Sequence, residues 1–252
     1  MQIYGIDIKI YFLLFIIYAV IGWCMEVICK LIQYKRFIDR GFLIGPYCPI
    51  YGVGALLITF LLNKYTQDPV VLFVMAVVVC GILEYLTSYF MEKIYHARWW
   101  DYSNKKFNIN GRICLSNLIA FGILGMFIMY ISNPFLIGQL ERLTTTWLNI
   151  AFWTILAIFV TDNILSGIIN NSIKTTTKQL GERMDNTEEI TRKVREILQK
   201  KSALHRRLIN AYPKIQAVKI KIKEKTRKIK EQIEEQKEDI KDKIDEIKTD
   251  KK

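Results

Sequence analysis

The 252 residues carry 36 Lys and Arg against 24 Asp and Glu, which gives a formal net charge of +12. Residues 1–173 hold 12 of the cations and 9 of the anions, whereas residues 174–252 hold 24 and 15. This division excludes a single soluble globular core, and it predicts a transmembrane domain over residues 1–173 and a basic helical cytoplasmic tail over residues 174–252. Nucleic acid is not an expected partner, because cations beside a membrane face anionic lipid first.

Five apolar segments approach the length of about 20 residues that a helix needs to cross a bilayer. They cover residues 8–31, 46–62, 70–92, 113–131 and 147–169. The first is too long for the apolar core of a signal peptide and no cleavage site follows it, so we expect it to remain in the mature protein. The second contains Pro46, Pro49, Gly52 and Gly54 in its first turns, so it either spans the membrane or re-enters it.

Cations in the predicted loops indicate the orientation of the bundle. The loops after the first and third segments carry nine: Lys30, Lys35, Arg36, Arg40, Lys93, Arg98, Lys105, Lys106 and Arg112. The opposite side carries three: Lys9, Lys64 and Arg142. The predicted fold class is therefore all-α, a polytopic transmembrane helix bundle of about five spans in the lipid bilayer, with the N-terminus outside and the tail in the cytoplasm.

The tail contains two amphipathic stretches. In the first, the spacing alternates between four and three residues: Ile190, Val194, Ile197, Lys201, Leu204 and Leu208. In the second, isoleucines continue a similar stripe after Pro213: Ile222, Ile229, Ile233, Ile240 and Ile247. The pattern is compatible with a short coiled coil, a helix on anionic lipid, a helix that binds a protein partner, or a solvated charged helix.

Four acidic side chains lie inside the apolar segments: Glu26, Glu84, Glu92 and Asp162. An ionisable group inside a span costs at least about 2.5–3.5 kcal/mol, so each is a functional candidate. The acidic residues of the third segment share one helix face. Arginines in the adjacent loops are their expected partners, and the groups form either structural ion pairs or a polar cavity open to the cytoplasm.

Two loops are dense in residues that an ordinary membrane anchor does not need. Residues 40–52 combine glycines, prolines and tyrosines, and residues 98–112 combine two tryptophans with several polar side chains. We expect the second loop to be ordered at the mouth of the bundle, where its hydrogen bonds are satisfied. The candidate substrate-binding or structural polar cluster is Glu26, Arg40, Glu84, Glu92, Arg98, Trp99, Trp100, Asp101, Tyr102, Asn108, Asn110 and Arg112.

Neither metal nor cofactor binding is expected. The five cysteines have no paired spacing and are typical of small buried side chains. The two histidines, His96 and His205, stand far apart in the sequence, so a zinc or iron site is not predicted.

Five motifs occur in order along the first four segments: Gly22-Trp23 with Glu26, residues 40–43 with 45–52, Glu84-Tyr85 with Glu92, residues 98–103, and Phe107-Asn108 with 110–113. Together they resemble the type IV ABC-transporter permease family of bacterial membrane proteins. The likeness covers about residues 10–135 and leaves out the fifth span and the tail. Asp39, Ile44 and Phe121 depart from the family pattern, where Asn, an aromatic residue and Trp are expected.

The resemblance implies a multi-pass protein of the bacterial plasma membrane that works with a separate ATPase subunit. Because the chain has no GxxxxGK[ST] phosphate loop, any ATP use has to come from that partner. One alternative is a membrane-embedded enzyme for a lipid or lipid-linked substrate, with Glu84, Glu92, Asp101 and His96 in acid–base roles and the arginines on a phosphate. Another is a scaffold that positions other proteins through its tail.

Overall fold

The structure is a computed structural model that describes residues 2–184, 186–212 and 215–217. In this part of the chain, four helical stretches are long and apolar enough to cross a membrane: Ile8–Tyr34, Pro69–Tyr95, Leu115–Glu141 and Thr145–Gly181. Strands within the same described ranges are short two-residue pairs. The predicted all-α polytopic class is confirmed.

The first span is α1, Ile8–Tyr34. A hairpin of β1, Gln2–Ile3, and β2, Ile6–Asp7, precedes it. The Asp7 carboxylate caps the helix by accepting a hydrogen bond from Lys9 N at 2.9 Å, which satisfies one of the free amides of the first turn. The helix begins where the hydropathy pattern predicts it and continues slightly past the predicted end.

The second segment forms α2, Pro49–Leu62, a helix of only 14 residues. At 1.5 Å per residue it is about 21 Å long, which is less than the hydrocarbon thickness of about 30 Å. Cys48 N donates to Ala19 O at 2.9 Å, so α2 begins level with the middle of α1. The rings of Tyr11 and Phe60 lie 4.7 Å apart, so α2 ends near the start of α1.

The second segment therefore has two unlike halves. Residues 40–48 are irregular and enter the bundle from the end of α1, and α2 completes the path to a 3-10 turn at Asn63–Tyr65. Irregular backbone at such a depth is tolerated where it is buried in protein or lines a cavity. The prolines and glycines that left the second segment ambiguous mark this change from irregular to helical structure.

Helices α3, Pro69–Tyr95, and α4, Leu115–Phe127, pack closely against each other. A Cβ atom added at Gly122 would lie 2.4 Å from Phe73 Cε2, and one at Gly125 would meet another α3 side chain at 2.5 Å. Small residues at these positions let the two backbones approach, as is common between membrane helices. The connecting loop contains the antiparallel pair β4, Asn108–Ile109, and β5, Ile113–Cys114.

A π-helical turn, Ile128–Ser132, and α5, Asn133–Glu141, extend α4 past its predicted end. The buried Asn133 side chain joins three elements at this junction. It accepts a hydrogen bond from Tyr18 OH at 2.8 Å and donates one to Thr59 Oγ1 at 2.8 Å. These bonds satisfy a polar group that would otherwise be costly inside the bundle.

The last long helix is α6, Thr145–Arg183, which runs beside α1 in the same direction. The ring centroids of Phe12 and Phe152 are 5.2 Å apart, and those of Phe15 and Phe159 are 5.5 Å apart. The helix passes residue 173 without a break. The described residues thus mark no border at the predicted end of the transmembrane domain, and that division stays a prediction.

The described part of the tail folds back onto the bundle. It contains α7, Thr187–Lys201, and α8, Ala203–Ala211, and β6, Gln216–Ala217, pairs antiparallel with β3, Ala97–Arg98. The loop after α3, helix α6 and the tail contribute to one buried apolar cluster, which we call the tail cluster. Its members are Ala97, Trp99, Ile173, Ile190, Val194, Leu198, Leu208, Ile209, Ala211, Tyr212, Ile215 and Ala217.

The predicted first stripe of the tail is only partly right. Ile197 and Leu204 are 45 % and 42 % exposed, whereas Leu198 is fully buried. Leu204 is displaced because Ser202 interrupts the helix and caps α8, so the helical phase changes after Lys201. Within α7 the buried positions are Ile190, Val194 and Leu198, each four residues after the one before, and Ile197 lies outside this row. The apolar members that do face the tail cluster are Ile190, Val194 and Leu208. The second predicted stripe, at residues 222–247, lies outside the described residues.

Candidate functional site

A cavity of about 490 Å³ lies between α1, α2, α3 and α4, beside the first turns of α2 and the loop that precedes it. Its wall is mainly apolar, with contributions from Ile21, Leu83, Phe121, Leu124 and Phe127. Polar groups gather at the end nearest the tail, and five of the predicted site residues are among them: Glu26, Arg40, Glu84, Trp100 and Tyr102. The cavity is thus amphipathic, with an apolar body and a polar end.

The space exists because α2 starts late and lies close against α1. A Cβ atom added at Gly22 would lie 2.2 Å from Tyr51 Cγ, and one at Gly52 would lie 2.4 Å from Phe15 O. The close contact places Tyr51 between α1 and the cavity. A helix that spanned the whole bundle would begin before Pro49, but the irregular residues 40–48 occupy that part of the path.

Glu26 is fully engaged at the polar end of the cavity. Its Oε1 accepts a hydrogen bond from Tyr51 OH at 2.9 Å, and its Oε2 accepts one from Arg40 Nε at 3.2 Å. The Arg40 guanidinium also stacks on the Tyr212 ring, 4.5 Å from its centroid, and donates to the carbonyl oxygen of Ala211. The predicted pairing of a span carboxylate with a loop arginine is present here, and the tail completes it.

Glu84 is the deepest acidic residue in the cavity wall and is only 6 % exposed. Tyr102 OH donates to its Oε1 at 3.3 Å, and Asn117 flanks the same carboxyl. Its Oε2 is buried and accepts no hydrogen bond from the residues that the structure describes. No arginine pairs with it in this part of the chain, in contrast to the sequence-based expectation.

The remaining charged site residues form a separate network at the mouth of the bundle. Glu92 Oε2 accepts a hydrogen bond from Arg98 Nε at 2.9 Å and forms a salt bridge with Arg112 Nη2 at 3.0 Å. Arg98 also pairs with Asp101 at 3.6 Å. Burial raises the pKa of the Asp101 carboxyl, but hydrogen bonds from Ser103 and the charge of Arg98 outweigh it and hold that pKa below its usual value. These groups neutralise one another and fix the loop.

The loop after α3 is ordered by its own polar side chains. The Asn108 amide donates to Ser103 O at 3.1 Å and to Lys105 O at 2.8 Å, while its oxygen accepts from Gly111 N at 3.0 Å. Asn110 donates to a tyrosine hydroxyl of α3 at 3.0 Å. The asparagines of this segment therefore hold the loop in its conformation. Neither Asn108 nor Asn110 is among the described residues that line the cavity.

The two adjacent tryptophans have different roles. Trp99 is 3 % exposed, and its ring packs at 5.1 Å from Phe42 and at 4.8 Å from Tyr212, inside the tail cluster. Trp100 lines the cavity, and its Nε1 donates to Arg112 O at 3.1 Å. Trp99 is thus a core residue of the docked tail rather than an interfacial anchor.

Asp162, the fourth predicted ionisable residue, is an anchor for the irregular loop. It accepts from Ile44 N at 3.2 Å, from Gly45 N at 3.0 Å and from Ser166 Oγ at 3.0 Å, and also from the Tyr47 hydroxyl. Sequence reasoning assigned it no partner. The available signal was Ser166 one helical turn later, which places two polar groups on one face of α6.

The residues of the enzyme hypothesis lie in different electrostatic surroundings. Glu92 and Asp101 are held by arginines. Burial, together with the nearby charges of Lys174 and Lys178 on α6, lowers the pKa of His96. No group of three or more metal-ligating side chains occurs within the described ranges.

Comparison with known protein families gives a match. A family model described as "Putative ABC-transporter type IV" matches residues 13–167. No curated protein and no solved structure matches the chain. The match continues through most of α6, so the expectation that the fifth span lies outside the family is wrong. Because it covers more than half of the 252 residues, the chain belongs to this ABC-transporter family.

Proposed function

We propose that the chain is the transmembrane (permease) subunit of an ABC-type transporter and that its cargo occupies the cavity between α1 and α4. The observation that carries this proposal is the cavity of about 490 Å³, which is apolar along α4 and polar at Glu26, Arg40 and Glu84. Its size lies in the range of about 300–1,000 Å³ that is usual for small-molecule sites. Membership of an ABC-transporter family supports the transport role.

The broken crossing supports the same role. Discontinuous segments at mid-bundle are a common way for transporters to bring polar groups to a cargo site. Here residues 40–48 lead into α2 at the cavity, and Gly41, Cys48 and Pro49 line it. A continuous helix through this position would fill the space that the cavity occupies.

The ATPase is a separate protein in this proposal, because the 252 residues contain no GxxxxGK[ST] motif. The loops that carry nine cations against three on the opposite side are placed in the cytoplasm, together with the tail. The chain then lies in the bacterial plasma membrane with its tail facing the ATPase. The polar end of the cavity faces the same side.

The test is purification of the tagged chain from its native membrane in mild detergent, followed by measurement of ATP hydrolysis. We expect a second subunit with ATPase activity, and we expect Glu84→Gln to change ATP turnover without dissociating the pair. Glu141→Gln changes an exposed carboxylate at the end of α5 and is the matched control, with unchanged turnover. Recovery of the chain alone, with activity on a lipid substrate in liposomes, contradicts the proposal and favours the enzyme.

A further inference from the structure

Glu84 presents an acceptor that nothing in the described part of the chain uses. The side chain is 6 % exposed and lines the cavity, and its Oε2 has no hydrogen-bond partner there. A buried carboxylate oxygen without a partner is costly, because its lost hydration is not replaced. A ligand that brings a hydrogen-bond donor to this atom would remove that cost.

The charges around the cavity favour a cationic donor. Glu26 is neutralised by Arg40 and hydrogen-bonded to Tyr51. Arg40 is the single cation among the described residues that line the cavity, and it is held by Glu26, the Tyr212 ring and a backbone carbonyl. The carboxyl of Glu84 is thus left without a counter-charge, and an anionic ligand would find no unoccupied cation in the wall.

Aromatic side chains surround the same end of the cavity: Tyr51, Tyr95, Trp100, Tyr102 and Tyr212. Aromatic faces together with a carboxylate are the usual means by which proteins bind ammonium groups. Along α4 the wall is formed by Phe121, Leu124 and Phe127, which offer only apolar surface. A hydrocarbon chain that extends from the ammonium would bury its surface there.

We propose that the cavity binds an amphipathic cation, a hydrocarbon chain that ends in a protonated amine, with the ammonium at Glu84 and the chain along α4. This inference deepens the proposed function, since it names the class of cargo for the same chamber. It concerns binding alone, and it does not depend on whether an ATPase drives release.

The test uses the full-length chain in nanodiscs of neutral lipid, with titration calorimetry against empty nanodiscs. The probes are n-octylammonium, n-octanol and n-octyl phosphate, which share a chain and differ in the head group. We expect saturable binding of octylammonium, octanol affinity at least about tenfold lower, and no saturable binding of octyl phosphate. Octyl phosphate that binds as tightly as octylammonium overturns the inference.

Two variants distinguish the contribution of the ligand's head group from that of its hydrocarbon chain. Glu84→Gln should lower octylammonium affinity about tenfold or more while octanol affinity stays the same, because only the charge-assisted hydrogen bond is lost. Leu124→Trp fills the apolar part of the cavity and should weaken both ligands, and Glu141→Gln should change neither. Unchanged octylammonium binding in folded Glu84→Gln, or equal loss of both ligands in that variant, overturns the inference.

The two proposals fail in different ways. Octylammonium binding without a co-purifying ATPase leaves the ligand class standing and removes the transport role. A co-purifying ATPase, with no octylammonium binding to the chain in nanodiscs, leaves the transport role and removes the ligand class.

Discussion

Asp162→Ala should release the irregular loop that carries Arg40 and the start of α2. Ile44 N keeps a second acceptor, Ser166 Oγ at 2.9 Å, so Gly45 N is the backbone amide that loses its acceptor. A buried donor left without a partner costs about 1–3 kcal/mol, and the Tyr47 hydroxyl loses a bond of about 0.5–1.5 kcal/mol. The bond from Ser166 to Asp162 lies within α6, so it does not contribute to loop opening. The loop should therefore open more easily by about 1.5–4.5 kcal/mol in total.

Cys48 reports on this opening, because it lies at the end of the loop and is buried. With the other four cysteines replaced by alanine, maleimide labelling of Cys48 follows the open population. A change of about 1.5 kcal/mol or more raises the labelling rate at least about tenfold, at about 1.4 kcal/mol for each factor of ten.

The matched control is Thr161→Ala, since Thr161 is exposed next to Asp162 and its hydroxyl bonds only within α6, to Ala157 O at 2.8 Å. The control should label at the parent rate. A monodisperse, folded Asp162→Ala protein that labels Cys48 as slowly as its parent would show that the carboxylate does not hold the loop.

Three further predictions concern the mouth of the bundle, the tail and the orientation in the membrane. Glu92→Gln removes the carboxylate that two arginines share. It should therefore lower the thermal unfolding midpoint in detergent by more than Glu189→Gln does, because the exposed helix pair of Glu189 with Lys193 is worth only about 0.3–0.5 kcal/mol. Equal midpoints in the two variants would contradict a structural role for Glu92. Burial and the charge of Lys201 lower the pKa of His205 below its usual 6.5, so the docked tail favours the neutral ring. The neutral ring therefore stabilises the docked tail fully above pH 6.5, and this stabilisation is lost as the pH falls through the lowered pKa. Deuterium exchange of α8, corrected for the intrinsic rate, should therefore increase from about pH 7.5 to about pH 5.5, and His205→Gln should abolish that increase. Thr66→Cys should react with an impermeant maleimide from outside the cell, and reaction only from inside would reverse the orientation that the loop cations predict.

The spans were predictable because they depend on local composition. Residues 70–92 were expected and Pro69–Tyr95 is found, with Asp68 as the N-cap and Pro69 in the first turn, two signals that are visible in the sequence. The second segment was predicted from its apolar content alone. How much of it is helical depends on the fit of Tyr51 against Gly22, which no periodicity reveals.

The candidate site was predictable where a charge is buried in a span and a cation lies in the next loop. Glu26 with Arg40, and Glu92 with two arginines, follow this pattern. The isolation of Glu84 and the position of Tyr212 did not follow from it. Both depend on contacts between segments far apart in the chain, and Tyr212 reaches the cavity only because the tail folds back onto Trp99.

Helix α6 makes the loop and the tail parts of one mechanical unit. Asp162 accepts hydrogen bonds from the irregular loop, and Ile173, about 16 Å further along the same helix, is buried in the tail cluster. An unbroken helix of 39 residues transmits a tilt along its length like a lever arm. A force applied to the tail from outside the bundle is therefore delivered to the segment that carries Arg40, at the polar end of the cavity.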